Sequence, residues 1–159
     1  MKLIKSFIAS ALTLGLSSCA LFGTSGSELQ FLLPTNPEVA LVKSIALDLT
    51  KAGNKEMQNL GVKLSNKGYT VRYPQQVRLL LNQAGINANT VNEKQLLEFL
   101  KSKNIDAYLK GRVAYSSSYR TTANVQLIST GSGDVISSID NTQLGGINNR
   151  DFFRALLGR

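Results

Sequence analysis

The segment NIDAYLKGRV, residues 104–113, alternates small or apolar side chains with polar ones and therefore predicts a β-strand. Residues 119–127 alternate in the same way. The glycine-containing turn 130–134 then leads into a further apolar run at 135–139. Alternating strands joined by short turns are typical of antiparallel sheet with one buried face. The last third of the chain is therefore predicted to form three antiparallel strands.

The residues before this unit mix strand and helix signals. Residues 38–49 are rich in Val, Ile, Leu and Ala and predict a buried first strand, and residues 69–73 predict a second one. The helix signals are Asn54 as the cap of a helix ending near Asn66, Pro74 in the first turn of a helix ending at Gly85, and Asn92 as the cap of a third helix. A Gly-Gly break at 145–146 precedes a short terminal helix, 150–157.

These elements define the fold class. The predicted order is β-α-β-α-α-β-β-β with a short C-terminal helix. We therefore expect an α/β protein, a two-layer sandwich in which a mixed sheet carries its helices on one face.

The N-terminus has the layout of a secretory signal. Lys2 and Lys5 precede an apolar run at 7–16, and small residues lead to the only cysteine, Cys19. The string Leu-Ser-Ser-Cys at 16–19 resembles the lipobox of bacterial lipoproteins. The resemblance implies cleavage between Ser18 and Cys19 and a lipid on Cys19 that attaches the chain to a membrane. The apolar run is about half of the roughly 20 residues that span a bilayer, which disfavours a transmembrane anchor.

This interpretation divides the chain into three parts. Residues 1–18 are predicted to be the signal peptide, 19–37 a lipidated tether rich in Gly, Ser and Pro, and 38–159 a single periplasmic α/β domain. Alanine after the cysteine resembles an outer-membrane sorting signal. The predicted location is therefore the outer membrane, facing the periplasm.

The chain is basic, with a formal net charge of +8 and a pI near 9.8. Removal of Lys2 and Lys5 with the signal lowers this charge by two units. An exported chain rarely meets nucleic acid, so no nucleic-acid partner is predicted. Anionic lipid headgroups or acidic glycans suit the charge better, and a mixed solvated surface that only aids solubility is the alternative.

The absence of histidine limits the chemistry that this chain can perform. It removes the commonest general base, His-dependent triads and the usual zinc ligands. The carboxylate pairs Asp48 with Glu56 and Glu93 with Glu98 are interpreted as solvated surface charges. We therefore predict no enzyme activity, no catalytic residues, no metal and no cofactor.

Two sets of residues are candidates for partner binding. Aromatic and basic side chains lie together on the predicted strands: Tyr108, Lys110, Arg112, Tyr115, Tyr119 and Arg120. The terminal helix contributes Phe152 and Phe153, which suit docking on a partner or on another copy of the chain. The alternatives are ordinary sheet surface for the first set and core packing for the second.

Two pairs of segments resemble the periplasmic α/β domain shared by the CsgG, LpoB and PelC lipoproteins and the N-terminal domain of TolB. The first pair is LGVKLSNKGYTV at 60–71 with VRLLLNQAGI at 77–86, and the second is NIDAYLKGRV at 104–113 with VQLISTG at 125–131. The family's Pro-Phe-x-Asn after the first strand is replaced by Ala-Leu-Asp-Leu at 46–49. Long pore-forming hairpins are absent, which argues against a CsgG-type channel. A weaker likeness to the TraT lipoprotein covers residues 55–71.

The resemblance implies a non-enzymatic accessory or assembly factor. Such a protein binds an envelope protein partner in secretion, polysaccharide or appendage export, or cell-wall synthesis, and homo-oligomers are a further option. The alternative function is a lipoprotein module that binds glycan or peptidoglycan, with an acidic glycan as its partner.

Overall fold

The structure, a computed structural model, describes residues 34–117 and 120–158, which belong to one compact unit. The strands are β1 Ser44–Leu47, β2 Thr70–Arg72, β3 Ala107–Ser117, β4 Arg120–Ser129, β5 Val135–Asp140 and β6 Ile147–Asn148. The helices are α1 Lys55–Asn66, α2 Pro74–Gln83, α3 Glu93–Ser102 and α4 Asn149–Leu157. Three short 3-10 segments are Pro37–Leu41, Leu49–Lys51 and Thr142–Leu144.

The strands form one mixed sheet in the order β2-β1-β3-β4-β5, and β6 pairs with β4. β1 runs parallel to both β2 and β3, whereas β3, β4 and β5 are antiparallel. The long β3–β4 ladder keeps continuous register from Ala107 opposite Ser129 to Tyr115 opposite Thr121. The predicted α/β class, with its mixed sheet and short C-terminal helix, is confirmed.

The helices lie on both faces of the sheet, in contrast to the expectation of one face. One apolar cluster joins α1 and α4 to Leu47, Leu109 and Leu127. The other joins α2 and α3 to Ala46, Tyr108 and Ile128. The sequence reason is that β1 is apolar at successive positions, as strands buried on both faces are.

The local signals predict helix starts better than strand bounds. The Asn54 side chain caps α1 by accepting from Met57 N at 2.8 Å, and Asn92 caps α3 by accepting from Gln95 N at 2.9 Å. The first strand, expected at 38–49, is limited to β1. Residues before it form the Pro37–Leu41 segment, because proline fixes the first turn and Asn36 caps it.

Two further observations complete the architecture. β6 was not predicted, because its two residues lie directly after the Gly-Gly break, where they pair with Arg120 and Thr121. No helix within 34–117 and 120–158 is both long and apolar enough to cross a membrane.

Candidate functional site

The second half of the β3–β4 ladder leaves one sheet face open. α2 and α3 cover this face at Tyr108, but the positions beyond it along β3 and their partners on β4 and β5 are exposed. We call them the polar sheet face: Lys110, Arg112, Asn124, Gln126, Ser138 and Asp140. Arg112 lies opposite Asn124, and Lys110 opposite Gln126. The residues that alternate with these along β3, β4 and β5 point to the other face of the sheet. That face is apolar and is covered by α1 and α4.

A cleft of about 800 Å³ lies where the polar sheet face meets the Leu49–Lys51 segment and the start of α1. Its volume is within the range of ligand-binding pockets. The side chains that line it are mostly polar or charged: Asp48, Thr50, Lys51, Asn54, Lys110, Arg112, Thr122, Asn124 and Thr142. The strand ends and this segment therefore build a solvent-accessible depression, in which Met57, Val113, Ala114 and Ala123 add apolar surface between the polar groups.

Asp48 is the buried carboxylate of this cleft, with only 4% of its surface exposed. Its Oδ1 accepts from the amide and hydroxyl of Thr50 at 2.9 and 2.8 Å and from the Tyr108 hydroxyl at 3.2 Å. Its Oδ2 accepts from Gly111 N at 3.1 Å. A buried carboxylate with this many donors is stabilised where it lies, and it ties the end of β1 to the middle of β3.

Gly111 allows β3 and β4 to approach each other at this point. Its φ is +129°, and a Cβ there would lie 2.1 Å from the carbonyl oxygen of Asn124. Any side chain would therefore push the two strands apart and withdraw the Gly111 amide from Asp48.

A second aspartate holds the other end of the same strand pair. Asp106 Oδ2 accepts from the amides of Lys43 and Ser44 at 2.9 and 2.8 Å and from the Ser44 hydroxyl at 2.9 Å. Partial burial raises the pKa of Asp106, but these hydrogen bonds outweigh that effect and leave the pKa below its usual value. Asp106 and Asp48 thus fix the parallel β1–β3 pair at both ends, and the cleft forms at the Asp48 end.

The basic groups of the cleft differ in how they are paired. Lys110 forms an ion pair with Glu93 at the start of α3. Within the described part of the chain, the side chains of Arg112 and Lys51 make no hydrogen bond or ion pair. The cleft therefore offers two cations whose charge is not used inside the protein.

The structure divides the predicted binding residues among three places. Lys110 and Arg112 are on the polar sheet face. Arg120 is exposed and donates to the Gly146 carbonyl at 2.8 Å, next to β6. Tyr119, Ser18 and Cys19 lie outside the described residues, so they stay predictions.

The remaining aromatic candidates are internal, which corrects the expectation that they form a surface. Phe152 and Phe153 are 0% and 3% exposed, and their rings meet edge to face at 5.1 Å. They are internal because α4 folds back over the sheet and places its apolar side on the α1 face. Tyr108 is also buried, with 4% exposed.

The two tyrosines of β3 lie on opposite faces, because they are seven positions apart and side chains alternate along a strand. The Tyr108 hydroxyl donates to Asp48 and accepts from Leu49 N. Burial, followed by the Asp48 charge, raises its pKa above the usual value. Tyr115 packs on the α1 face, with Lys63 Nζ 4.0 Å from its ring centre. Burial, followed by the Glu56 charge, raises its pKa to about 12.

Sequence reasoning misplaced Asp48 by treating it as a surface charge paired with Glu56. The sequence feature that indicates its burial is its position directly after the apolar residues of β1, at the end of an internal strand. Glu93 and Glu98 are both exposed, as the sequence predicted, and Glu93 forms an ion pair with Lys110. Among the described residues no group of three acidic, cysteine or histidine side chains could hold a metal ion.

No protein-family model matches this chain, and no curated protein matches it. Solved structures do show similarity. The LpoB C-terminal domain from Salmonella enterica aligns with a TM-score of 0.43 at 16% identity over 62% of this chain and 80% of that one. The LpoB C-terminal domain from Escherichia coli has a TM-score of 0.43 at 16% identity, over 61% and 79% of the two chains. A PelC dodecamer from Paraburkholderia phytofirmans has a TM-score of 0.41 at 15% identity, over 79% and 95%. At these identities the likeness concerns the fold alone.

Proposed function

We propose that this chain is a lipid-anchored, non-enzymatic accessory protein of the bacterial outer membrane. It faces the periplasm and binds a partner in an envelope machine for secretion, polysaccharide or appendage export, or cell-wall synthesis. The signal segment and Cys19 support this location. The cleft at the polar sheet face supports the binding role.

One observation carries the binding role. Asp48, the buried acid of the cleft, is fully engaged by internal donors, whereas Arg112 and Lys51 are unpaired among the described residues. A base poised for catalysis needs a lone pair directed at its substrate. A binding site needs polar groups that are not already used inside the protein, and Arg112 and Lys51 meet that requirement.

The anchor is tested by labelling cells with an alkyne analogue of palmitate and fractionating their membranes. The wild-type chain should carry the label and sediment with outer membranes, because a diacylated or triacylated cysteine anchors stably. Cys19→Ser should lose the label, keep its signal segment and leave the outer-membrane fraction. Unchanged processing and location in this variant would contradict the proposed address.

The partner is tested by photo-crosslinking from two exposed glutamines in living cells. A benzophenone amino acid replaces Gln126 on the polar sheet face or, as the matched control, Gln75 on α2. We expect adducts from position 126, as a single band for a protein partner or a broad high-mass band for a polysaccharide, and none from position 75. The same adducts from both positions, or none from position 126, would contradict a partner on this face.

A further inference from the structure

The cleft contains two basic side chains without an ion pair among the described residues and one acid, Asp48, whose hydrogen-bond donors are all uncharged. Arg112 is exposed on β3 opposite Asn124 of β4, and Lys51 is half-buried on the segment that Asp48 caps; both line the cleft. Neither has a counter-ion within the described residues. Paired charges in a cleft bind little, whereas unpaired ones facing a concave surface attract ligands of opposite sign.

Acidic residues limit where an anion can lie. Asp140, at the edge of the same face, accepts from Thr142 and Asn124, and the Thr142 hydrogen bonds hold its pKa below the usual value. It is therefore ionised at neutral pH. An anionic group is therefore favoured beside Arg112 and Lys51 and disfavoured near Asp140 and Asp48.

The remaining lining favours a ligand rich in hydroxyl groups. The cleft presents the hydroxyls and amides of Thr50, Asn54, Thr122, Asn124 and Thr142, together with small apolar surfaces from Met57, Val113, Ala114 and Ala123. Among the described residues, the large apolar side chains that are exposed lie outside the cleft: Leu41, Val62, Leu79 and Val135. Polypeptide partners are usually held by apolar or aromatic anchors seated in pockets. Sugar rings need hydrogen-bonding groups instead, and their acid groups need an arginine or lysine.

From these observations we infer that the cleft binds a segment of a carboxylate-bearing polysaccharide, with a sugar carboxylate held by Arg112 and Lys51. Neighbouring ring hydroxyls bond to Asn124 and Thr122, on the strand opposite Arg112. This inference deepens the proposed function, on which it rests, by naming the chemistry of the partner that an envelope-facing domain would hold.

The test uses the full-length chain in detergent micelles and isothermal titration calorimetry. The probes are hexagalacturonic acid, its uncharged methyl ester and hexaglutamate, which carries the same six side-chain carboxylates on a peptide. We expect binding of hexagalacturonic acid, no binding of the ester, and binding of hexaglutamate at least tenfold weaker. Raising the salt from 50 to 500 mM should weaken the interaction, since part of it is screened charge.

Three variants locate the site. Arg112→Ala should weaken hexagalacturonic acid binding at least tenfold, because it removes a charge-assisted contact. Arg112→Lys keeps the charge but not the planar fork and should give an intermediate loss. Arg150→Ala, the matched control, removes the same charge from an exposed position of α4 and should leave binding unchanged. Arg112 is exposed, so circular dichroism should show all three variants folded.

Each contrary result overturns the inference. Equal losses in Arg112→Ala and Arg150→Ala would mean binding by overall charge. Tighter binding of hexaglutamate would assign the cleft to an acidic peptide. Absence of hexagalacturonic acid binding would exclude the ligand class while leaving the labelling of Cys19 untouched, so failure of this inference is distinguishable from failure of the proposed address.

Discussion

The two faces of β3 differ in how far helices cover them. On the α1 face, apolar residues from Leu109 to Val113 are covered along the strand by α1 and α4. On the other face, α2 and α3 cover Tyr108 and then end, and the positions that follow are polar and open. Helix coverage, rather than strand sequence alone, therefore determines which face of β3 contributes to the apolar core and which face forms a cleft.

Truncation of a large side chain on the covered face should give the largest loss in the free energy of unfolding. Phe152→Ala deletes a ring with no exposed surface and should lower the free energy of unfolding by about 3–5 kcal/mol in urea denaturation. Leu79→Ala, the control, truncates a side chain that is 58% exposed on α2 and should change stability by less than about 0.5 kcal/mol. A small effect of Phe152→Ala would make this residue an interface candidate again.

Gly111 lies where β3 closely approaches β4 and where its amide binds Asp48 of the cleft. Its substitution should have the next largest effect. Gly111→Ala combines an unfavourable φ of +129° with a collision against the Asn124 carbonyl, and should destabilise the fold by about 2–4 kcal/mol. Gly53→Ala has a φ of +84° but no atom near the added methyl group, so it isolates backbone strain, about 1 kcal/mol. Equal losses in the two variants would show that the β3–β4 approach is not tight.

The internal support of the cleft predicts a smaller effect. Tyr108→Phe removes the hydroxyl that donates to Asp48 and accepts from Leu49 N, leaving a buried amide without its partner. We expect a loss of about 1–2 kcal/mol by urea denaturation. We also expect weaker hexagalacturonic acid binding, because Asp48 positions the segment that carries Lys51. Unchanged stability would mean that water replaces the hydroxyl.

Much of this fold is visible in the sequence, because local rules decide it. Asn54 and Asn92 cap helices through contacts three residues away, and the alternation of residues 104–113 defines β3 wherever its neighbours lie. The faces could not be assigned in the same way. The alternation predicts that Tyr108 and Tyr115 point in opposite directions, but it does not predict which helix covers each side.

The site was partly predictable for the same physical reason. Lys110 and Arg112 could be placed together on one face because residues at alternate strand positions share a face, but their binding role stays a prediction. Asp48 was missed because its burial depends on donors about 60 residues away in sequence, Tyr108 and Gly111, and no local pattern carries that information. The aromatic residues of α4 were ambiguous because an amphipathic terminal helix has the same sequence whether it covers its own core or a partner.

Tyr115 offers the weakest and most specific test of the comparison. Its hydroxyl is buried on the α1 face and has no hydrogen-bond partner in the described part of the chain, so Tyr115→Phe should alter stability at pH 7 by less than about 0.5 kcal/mol. The difference should grow with pH. The folded-state pKa is raised to about 12, so folding disfavours the phenolate, and wild type should lose stability from about pH 10 upward as its unfolded state ionises. The phenylalanine variant lacks this loss and should become the more stable protein between pH 10 and 12, as measured by urea midpoints. A constant difference across that range would show that the Tyr115 hydroxyl is solvated, and that the α1 face is less completely covered than the buried positions of β3 indicate.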